Sequence, residues 1–197
     1  MADRLIVAIS GASGVIYGIR LLQVLAERDD VETHLVISPA ARITIAQETD
    51  WKVSDVERLA TVAYDYRDIG APLASGSFRT RGMAVVPCSI KTLSAIAHCY
   101  AADLISRAAD VTLKEGGPVL LAVRETPLHL GHLRLMTQAA EMGCIIFPPV
   151  PAFYGHPQTL EQVIDVTVGR MLARLGIEND LYYRWRGLGR SASSSSE

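Results

Sequence analysis

Leu-Ile-Val-Ala-Ile-Ser-Gly-Ala-Ser-Gly-Val, at residues 5–15, is the stretch that decides the fold. The apolar run at residues 5–9 predicts a strand buried on both faces, which is typical of a parallel sheet covered by helices on both sides. The following turn carries Gly11 and Gly14, and a helical pattern starts at Val15. This order predicts the first strand-turn-helix unit of an α/β domain.

Apolar runs and helical patterns continue to alternate along the chain. Further strands are predicted at residues 33–37, 83–86, 119–123 and 144–147, and helices at 15–28, from 39 onward, after 89, and at 101–114, 130–142 and 159–175. Residues 50–77 show no regular period and are assigned no element. The alternation predicts a single Rossmann-like α/β domain of three layers with a mostly parallel sheet.

The bulk properties set limits on the function. The chain has 197 residues, of which 49% are hydrophobic, so we expect one domain that buries part of its surface in a homo-oligomer. The net charge of -2 argues against nucleic-acid binding. No apolar run approaches the ~20 residues that cross a bilayer, and the apolar run near the N-terminus is too short for a signal peptide. These observations predict a cytoplasmic protein that binds no membrane.

The three cysteines, Cys88, Cys99 and Cys144, are widely spaced and form no CxxC pair. The sequence therefore predicts neither a disulfide framework nor a zinc site.

Two polar turns follow predicted strands and should meet at one edge of the sheet. The first is residues 10–14, and the second is Pro-Cys-Ser-Ile-Lys-Thr at residues 87–92. Ligands of open α/β sheets bind at the carboxyl ends of strands, and free N–H groups at a helix N-terminus attract phosphate. The alternatives are a tight turn without a ligand and a Ser89 that only caps a helix.

The end of the second strand favours a mononucleotide. Dinucleotide folds usually place an acidic residue there to bind the adenosine ribose. Here the strand ends in Ile37-Ser38-Pro39, with no acid. The Ser38 hydroxyl is a candidate hydrogen-bonding group for the ligand.

Seven short strings occur in a fixed order along the chain. They are Gly11-Ala12-Ser13-Gly14, Glu48-Thr49, Ala74-Ser75-Gly76-Ser77, Pro87-Cys88-Ser89-Ile90-Lys91-Thr92, Arg107-Ala108-Ala109-Asp110-Val111-Thr112-Leu113-Lys114-Glu115, Arg124-Glu125-Thr126-Pro127-Leu128 and Pro151-Ala152-Phe153-Tyr154. Together they resemble the UbiX/phenylacrylic acid decarboxylase family of flavin prenyltransferases. The similarity spans residues 4–186. We therefore expect residues 1–186 to form a flavin-binding domain with a C-terminal helical arm, and the serine-rich residues 187–197 a disordered tail.

The resemblance implies an activity. It implies an enzyme that joins a dimethylallyl group from dimethylallyl phosphate to N5 and C6 of reduced FMN, without a metal. The product, prenylated FMN, would serve a UbiD-type decarboxylase. The resemblance also implies a homo-oligomer, commonly a dodecamer, with sites at subunit junctions. Dimethylallyl phosphate and its diphosphate both remain open as donors.

The resemblance also assigns residues to roles. Those matched to flavin binding are Gly11, Ala12, Ser13, Ser38, Ser89, Ile90, Lys91, Thr92 and Arg107. Those matched to the allylic phosphate, some of them from a neighbouring subunit, are Lys114, Arg124, Glu125, Tyr154 and Arg170. Glu48 matches the proton-transfer carboxylate and Ser13 the hydroxyl beside flavin N5, so the catalytic set is Glu48, Ser13, Lys114 and Glu125.

The chemistry of these side chains suits the implied reaction. A leaving phosphate is stabilised by fixed positive charge. Arg124 would supply this charge on a planar guanidinium group and Lys114 on a compact ammonium group. The alternative for the cations of residues 101–114 is a helix-surface ion pair at i,i+4, Asp103 with Arg107 and Asp110 with Lys114.

Two other functions remain open. One is a flavin-dependent cysteine decarboxylase of the same fold, although the Asn-x-x-Met string of its substrate clamp is missing here. The other is a non-catalytic FMN carrier, which would need neither Glu48 nor the phosphate-binding set.

Overall fold

The computed structural model describes residues 3–184. In chain order its strands are β1 (Asp3–Ile9), β2 (Val31–Ile37), β3 (Val62–Tyr64), β4 (Gly82–Cys88), β5 (Val119–Val123) and β6 (Cys144–Ile146). The helices are α1 (Val15–Ala26), α2 (Pro39–Glu48), α3 (Val53–Glu57), α4 (Ile90–Ala97), α5 (Leu104–Lys114), α6 (Leu130–Glu141) and α7 (Leu160–Arg174), with a short 3-10 helix at Pro72–Ala74. Together they form one α/β domain.

All six strands run parallel, in the order β3-β2-β1-β4-β5-β6. From β1 the chain builds outward to β3 on one side, and from β4 it builds outward to β6 on the other. The crossovers that leave β1 and β4 therefore diverge, which opens a crevice above their carboxyl ends. The turns at residues 10–14 and 88–90 lie at this point.

Alternate residues of the strands fill two separate cores. Leu5, Val7 and Ile9 of β1 belong to the core that contains α1 and α7. Ile6 and Ala8 belong to the core that contains α4 and α5. Because side chains of a strand point alternately to opposite faces, this division produces the predicted three layers.

One glycine allows α1 to lie directly on the sheet. A Cβ atom at Gly18 would stand 2.2 Å from the Val86 carbonyl oxygen of β4. Only a residue without a side chain permits this approach, and it fixes the distance between the helix and the strand that carries the second polar turn.

The predicted fold is confirmed, with local differences. The sheet is wholly parallel, and β3 lies in residues 50–77, where no element was assigned. Helix α5 begins at Leu104, later than expected, because Asp103 caps it, and α1 ends at Ala26, earlier than expected. The tail expected at residues 187–197 lies outside the described residues.

His34 is a buried polar residue on β2. Its Nδ1 atom lies 2.9 Å from the Tyr64 hydroxyl on β3, and its Nε2 atom lies 3.1 Å from a Glu32 carboxylate oxygen. The ring also meets Phe78 edge-on, at 5.0 Å between centroids. Burial lowers the pKa of His34, and this effect outweighs the nearby Glu32 carboxylate, which raises it.

This lowered pKa predicts that the protein loses stability in mild acid. The unfolded chain, with a histidine pKa of about 6.5, binds the proton more readily than the folded chain, so protonation favours unfolding. The contribution of His34 is complete above about pH 6.5 and is lost as the pH falls towards the lower, folded pKa. Urea unfolding from about pH 7 to about pH 5.5 should show a smaller decline in His34→Gln than in the wild type. An equal decline in both proteins would show that His34 does not contribute.

Candidate functional site

The Ser10 hydroxyl ties the two polar turns together. It donates a hydrogen bond to the Pro87 carbonyl oxygen at 2.9 Å and accepts one from the Ser89 N–H at 2.8 Å. The Ser10 N–H also donates to the Pro87 carbonyl oxygen, at 3.2 Å. Ser10 is buried. The turn after β1 and the turn after β4 are therefore held as one unit.

Most of the predicted flavin-binding residues line one cavity of about 450 Å³ above these turns. The predicted site residues in its wall are Gly11, Ser38, Ser89, Ile90, Lys91, Thr92 and Glu125. Ala12 and Ser13 follow Gly11 in the chain and are not among the residues of the wall. Tyr66, which the sequence did not indicate, completes the wall together with Pro39 and Ala40.

Two helix N-termini face this cavity. The Ser38 hydroxyl caps α2 by accepting the Ala41 N–H at 3.1 Å. The Ser89 hydroxyl caps α4 by accepting the Thr92 N–H at 3.3 Å. Both serines therefore do cap helices, and they do so at the cavity wall. The first-turn N–H groups lack partners within their own helix, so the two helices together favour an anion here.

Lys91 adds a positive charge at the same wall. It makes no ion pair with any carboxylate among residues 3–184. Gly11 lets the turn lie directly against the first turn of α2, because a Cβ atom there would stand 2.3 Å from the Ala40 Cβ atom. The arrangement can hold a phosphate group beside a turn that admits no side chain.

The N-terminus of α1 is occupied by a protein carboxylate. Glu48 Oε2 accepts hydrogen bonds from the Gly14 N–H at 2.8 Å and the Val15 N–H at 3.4 Å. The expectation that the donors of this turn are free for a phosphate is therefore wrong for Gly14 and Val15. These bonds bring Glu48 beside Ser13, which precedes Gly14.

Arg124 lies near Ser13 and Glu48, which together are called the Ser13–Glu48 corner. Its N–H donates to the Cys88 carbonyl oxygen at 3.1 Å, which anchors it at the end of β4. Burial raises the pKa of Tyr17, and the neighbouring Arg124 guanidinium opposes this rise. Tyr17 belongs to the first turn of α1, so Arg124 brings positive charge towards the Ser13–Glu48 corner.

The two cations of α5 lie elsewhere. Arg107 donates to the Ala74 carbonyl oxygen at 3.2 Å and to Asp110 at 2.8 Å, and Lys114 pairs with Glu115. The two i,i+4 ion pairs considered as the alternative do not form. The Asp103 carboxylate caps α5 and accepts the Tyr66 hydroxyl, and the Asp110 carboxylate pairs with Arg107 at i,i+3 instead of Lys114.

Lys114 lies at the far edge of the sheet from the cavity. It ends α5, and β5 begins shortly afterwards at Val119, at the amino edge. A seven-residue strand rises about 3.3 Å per residue, so the two edges are roughly 20 Å apart. Neither Lys114 nor Arg107 lines the cavity of its own chain.

Tyr154 and Arg170 form a third group. The Arg170 guanidinium lies 5.9 Å from the centroid of the Phe147 ring, just beyond β6. The Tyr154 ring lies 6.3 Å from the Tyr183 ring. One protomer thus divides the predicted residues into three groups: the flavin cavity with Ser13 and Glu48, the two cations of α5, and Tyr154 and Arg170, which lie outside both.

The sequence and the structure have close relatives. A family model described as Flavoprotein matches residues 2–172. Flavin prenyltransferase UbiX of Escherichia coli K12 is 61% identical over 186 residues, which cover 93% of this chain and 98% of that protein. The chain belongs to the UbiX family of flavin prenyltransferases.

Two solved structures resemble this UbiX-family chain. A crystal structure of AnUbiX (PadA1) in complex with FMN and dimethylallyl pyrophosphate has a TM-score of 0.93 at 48% identity, covering 96% of this chain and 100% of that one. A dodecameric FMN-dependent UbiX-like decarboxylase from E. coli O157:H7 has a TM-score of 0.91 at 46% identity, covering 93% and 100%. The resemblance inferred from the seven strings is confirmed, and the cysteine decarboxylase and FMN carrier alternatives are not favoured.

No pattern in the sequence indicated that Tyr66 belongs to this UbiX-family site. Tyr66 lies in the stretch without periodicity, and its hydroxyl donates to Asp103 at 2.6 Å. Burial, followed by the hydrogen bond to Asp103 and its charge, raises the pKa of Tyr66. Ser10 could have been identified from the sequence, since a polar residue at the end of a buried strand needs a hydrogen-bond partner.

Neither a metal centre nor a membrane span was found in the part of the chain that the structure describes. Residues 3–184 contain no group of three or more His, Cys, Asp or Glu side chains arranged to hold a metal ion. None of the helices in this range combines the length and apolar character that crossing a bilayer requires.

Ser10→Ala should weaken both the fold and flavin binding. The substitution leaves the Ser89 N–H without its acceptor in a part-buried position, which costs about 1–3 kcal/mol. Only the backbone bond from the Ser10 N–H to the Pro87 carbonyl oxygen then ties the two turns, so we expect the Kd for FMN to rise about tenfold. Urea unfolding and quenching of flavin fluorescence measure the two effects. Thr137→Ala, which removes an exposed hydroxyl from α6, should change stability by less than about 0.5 kcal/mol and serves as the control. Unchanged FMN affinity in Ser10→Ala would refute the role of this bridge.

Proposed function

We propose that this chain transfers a dimethylallyl group from dimethylallyl phosphate to reduced FMN and releases prenylated FMN. The observation that carries the proposal is the convergence of the α2 and α4 N-termini on one cavity beside the Ser13–Glu48 corner. A phosphate-bearing ligand held at the helices would have its remainder next to a carboxylate and a hydroxyl, as alkyl transfer to a flavin requires.

The residues of the cavity fit FMN. Ser38, Ser89 and Thr92, at the N-termini of α2 and α4, would hold the FMN phosphate together with the Lys91 ammonium. Gly11 and Ala12 would lie against the flavin, because the turn has no side chain there larger than a methyl group. When bound, reduced FMN supplies the nucleophilic N5 and C6 positions that accept the dimethylallyl group.

Glu48 and Ser13 would handle the proton released during the transfer. The hydrogen bonds from Gly14 and Val15 fix the orientation of the Glu48 carboxylate, so it can accept a proton without moving. The Ser13 hydroxyl, one residue from Gly14, can hold or relay that proton beside N5.

The phosphate leaving group would be stabilised by residues from more than one subunit. When the C–O bond of dimethylallyl phosphate breaks, inorganic phosphate carries the electron pair away, and fixed positive charge lowers the cost. Glu125 lines the cavity of its own chain, and Arg124 directly precedes it. We propose that Lys114, Tyr154, Arg170 and the flavin-contacting Arg107 reach this site across subunit junctions.

The assembly and the partner follow from the same proposal. A dodecamer like that of the UbiX-like decarboxylase from E. coli O157:H7 would bring the three groups of site residues together. The exposed apolar side chains Leu130 and Leu133 of α6 supply surface suited to such contacts. We propose a UbiD-type decarboxylase as the recipient of the product, and the cytoplasm as the location, since the three cysteines are unpaired.

The decisive experiment measures the mass of the flavin. Anaerobic incubation of the protein with reduced FMN and dimethylallyl phosphate should add one C5 unit. Glu48→Gln should lower the rate by at least about a hundredfold, because the amide cannot act as a base. Lys114→Ala should also lower it, since the leaving phosphate loses a cation.

Glu48→Gln is a matched variant because its side-chain oxygen can still accept the N–H groups at the start of α1. Circular dichroism and the FMN Kd should therefore match the wild type. An unchanged flavin mass in the wild type, with both ligands shown to bind, would rule out the proposed reaction. A fully active Glu48→Gln would rule out the assigned base.

A further inference from the structure

The chain turns back along α7 after that helix ends. Gly176 adopts a left-handed conformation with φ of +72°, and the Ile177 N–H donates to the Leu172 carbonyl oxygen at 2.9 Å. Residues 177–184, the return segment, then run alongside α7. Ile177 is buried in the core on that side of the sheet, and Leu181 packs against it.

Asn179 fastens the return segment to the middle of α7. Its side-chain amide donates to the Gly169 carbonyl oxygen at 2.9 Å and to the Ile177 carbonyl oxygen at 3.1 Å. Its side-chain oxygen accepts the Leu181 N–H at 3.2 Å. One side chain thus connects the helix to both halves of the turn that follows it.

Gly169, which accepts the Asn179 hydrogen bond, also provides the space in which the return segment lies. A glycine inside a helix costs roughly 0.5–1 kcal/mol relative to alanine, so its presence needs a local reason. A Cβ atom at Gly169 would stand 2.7 Å from the Asn179 side-chain oxygen and 2.8 Å from the Leu181 Cβ atom. The missing side chain is what lets the return segment lie against α7 here.

The docked segment leads to two residues of the proposed phosphate site. Arg170 directly follows Gly169 on α7. Tyr183 brings its ring to 6.3 Å from the Tyr154 ring, and its Cβ atom lies 3.5 Å from the position of a Cβ atom at Gly155. Tyr183 is half-exposed, so its contact with residues 154 and 155 is a surface contact that depends on where the segment lies.

We propose that Asn179 and Tyr183 are positioning residues, which hold the loop carrying Tyr154 in the place where Tyr154 and Arg170 receive the allylic phosphate. This inference rests on the proposed function for the identity of the ligand. It assigns a role to a segment that touches neither the flavin cavity nor the Ser13–Glu48 corner of its own chain.

The test compares two variants with a control in the intact protein. Asn179→Ala releases the segment from α7, and Tyr183→Ala removes the contact with residues 154 and 155 while leaving Asn179 and the buried Ile177 in place. Arg174→Ala changes an exposed residue in the last turn of α7 and serves as the control.

Binding of dimethylallyl phosphate to the protein loaded with oxidised FMN, which cannot turn over, is measured by calorimetry. Both variants should bind it roughly tenfold more weakly, with FMN affinity unchanged within about twofold. In turnover, KM for dimethylallyl phosphate should rise by the same factor. Amide hydrogen exchange of residues 150–156 should be faster in both variants than in the control.

The outcomes separate this inference from the proposed function. A wild type that transfers no dimethylallyl group refutes the function. A wild type that does so, with dimethylallyl phosphate affinity in both variants equal to that of Arg174→Ala, refutes the positioning role. If Asn179→Ala is too unstable to assay, Tyr183→Ala decides alone, because its side chain is half-exposed.

Discussion

The buried hydroxyl of Ser10 holds together two turns that the sheet topology drives apart. Strands β1 and β4 are neighbours, yet the chain leaves them in opposite directions, so nothing in the crossovers themselves keeps residues 10–14 next to residues 87–92. Ser10, at the start of the first turn, is buried, and its hydroxyl donates to the Pro87 carbonyl oxygen and accepts from the Ser89 N–H of the second turn. A hydrogen bond in such a place is expensive to lose, because the groups released cannot turn to solvent. The cavity, and the direction in which α2 and α4 point, depend on that fixed spacing.

Three helix N-termini at this site favour two kinds of anion, a carboxylate at α1 and a phosphate at α2 and α4. Glu48 satisfies the first donors of α1, while the first donors of α2 and α4 face the cavity. A carboxylate on α1 discourages a second anion there and so favours phosphate at the other two helices. The same bonds use one oxygen of Glu48, Oε2, and leave Oε1 outside both of them. Glu48 therefore occupies the anion site at the N-terminus of α1, and the same hydrogen bonds orient it as the base proposed for the reaction at the flavin.

Local features of this site could be predicted from sequence, and long-range ones could not. Strands β1 and β4 are buried on both faces and appear as unbroken apolar runs, whereas β3 is a three-residue edge strand, half-exposed, without such a run. Ser38 and Ser89 directly follow strands β2 and β4, Gly11 stands two residues after β1, and all three were predicted from these positions alone. Asp103 shows where spacing rules fail. It stands four residues before Arg107, which predicts an ion pair, but it is the N-cap of α5. Its carboxylate accepts hydrogen bonds from the Ser106 N–H and the Tyr66 hydroxyl instead. No periodicity in the sequence reports such partners.

The distance between Lys114 and the cavity has a consequence for the reaction. Charges in water are screened beyond about 8–10 Å at physiological ionic strength, so a cation roughly 20 Å away at the opposite edge of the sheet cannot stabilise a leaving phosphate in its own chain. Under the proposed function, Lys114 acts only on the site of a neighbouring copy. Flavin binding and alkyl transfer then have different requirements. Flavin binding rests on the turns joined by Ser10 in one protomer, to which a neighbour's Arg107 adds one contact, whereas alkyl transfer needs an interface that carries Lys114 to another protomer's Glu48. A protomer separated from its neighbours would hold FMN more weakly and leave dimethylallyl phosphate intact.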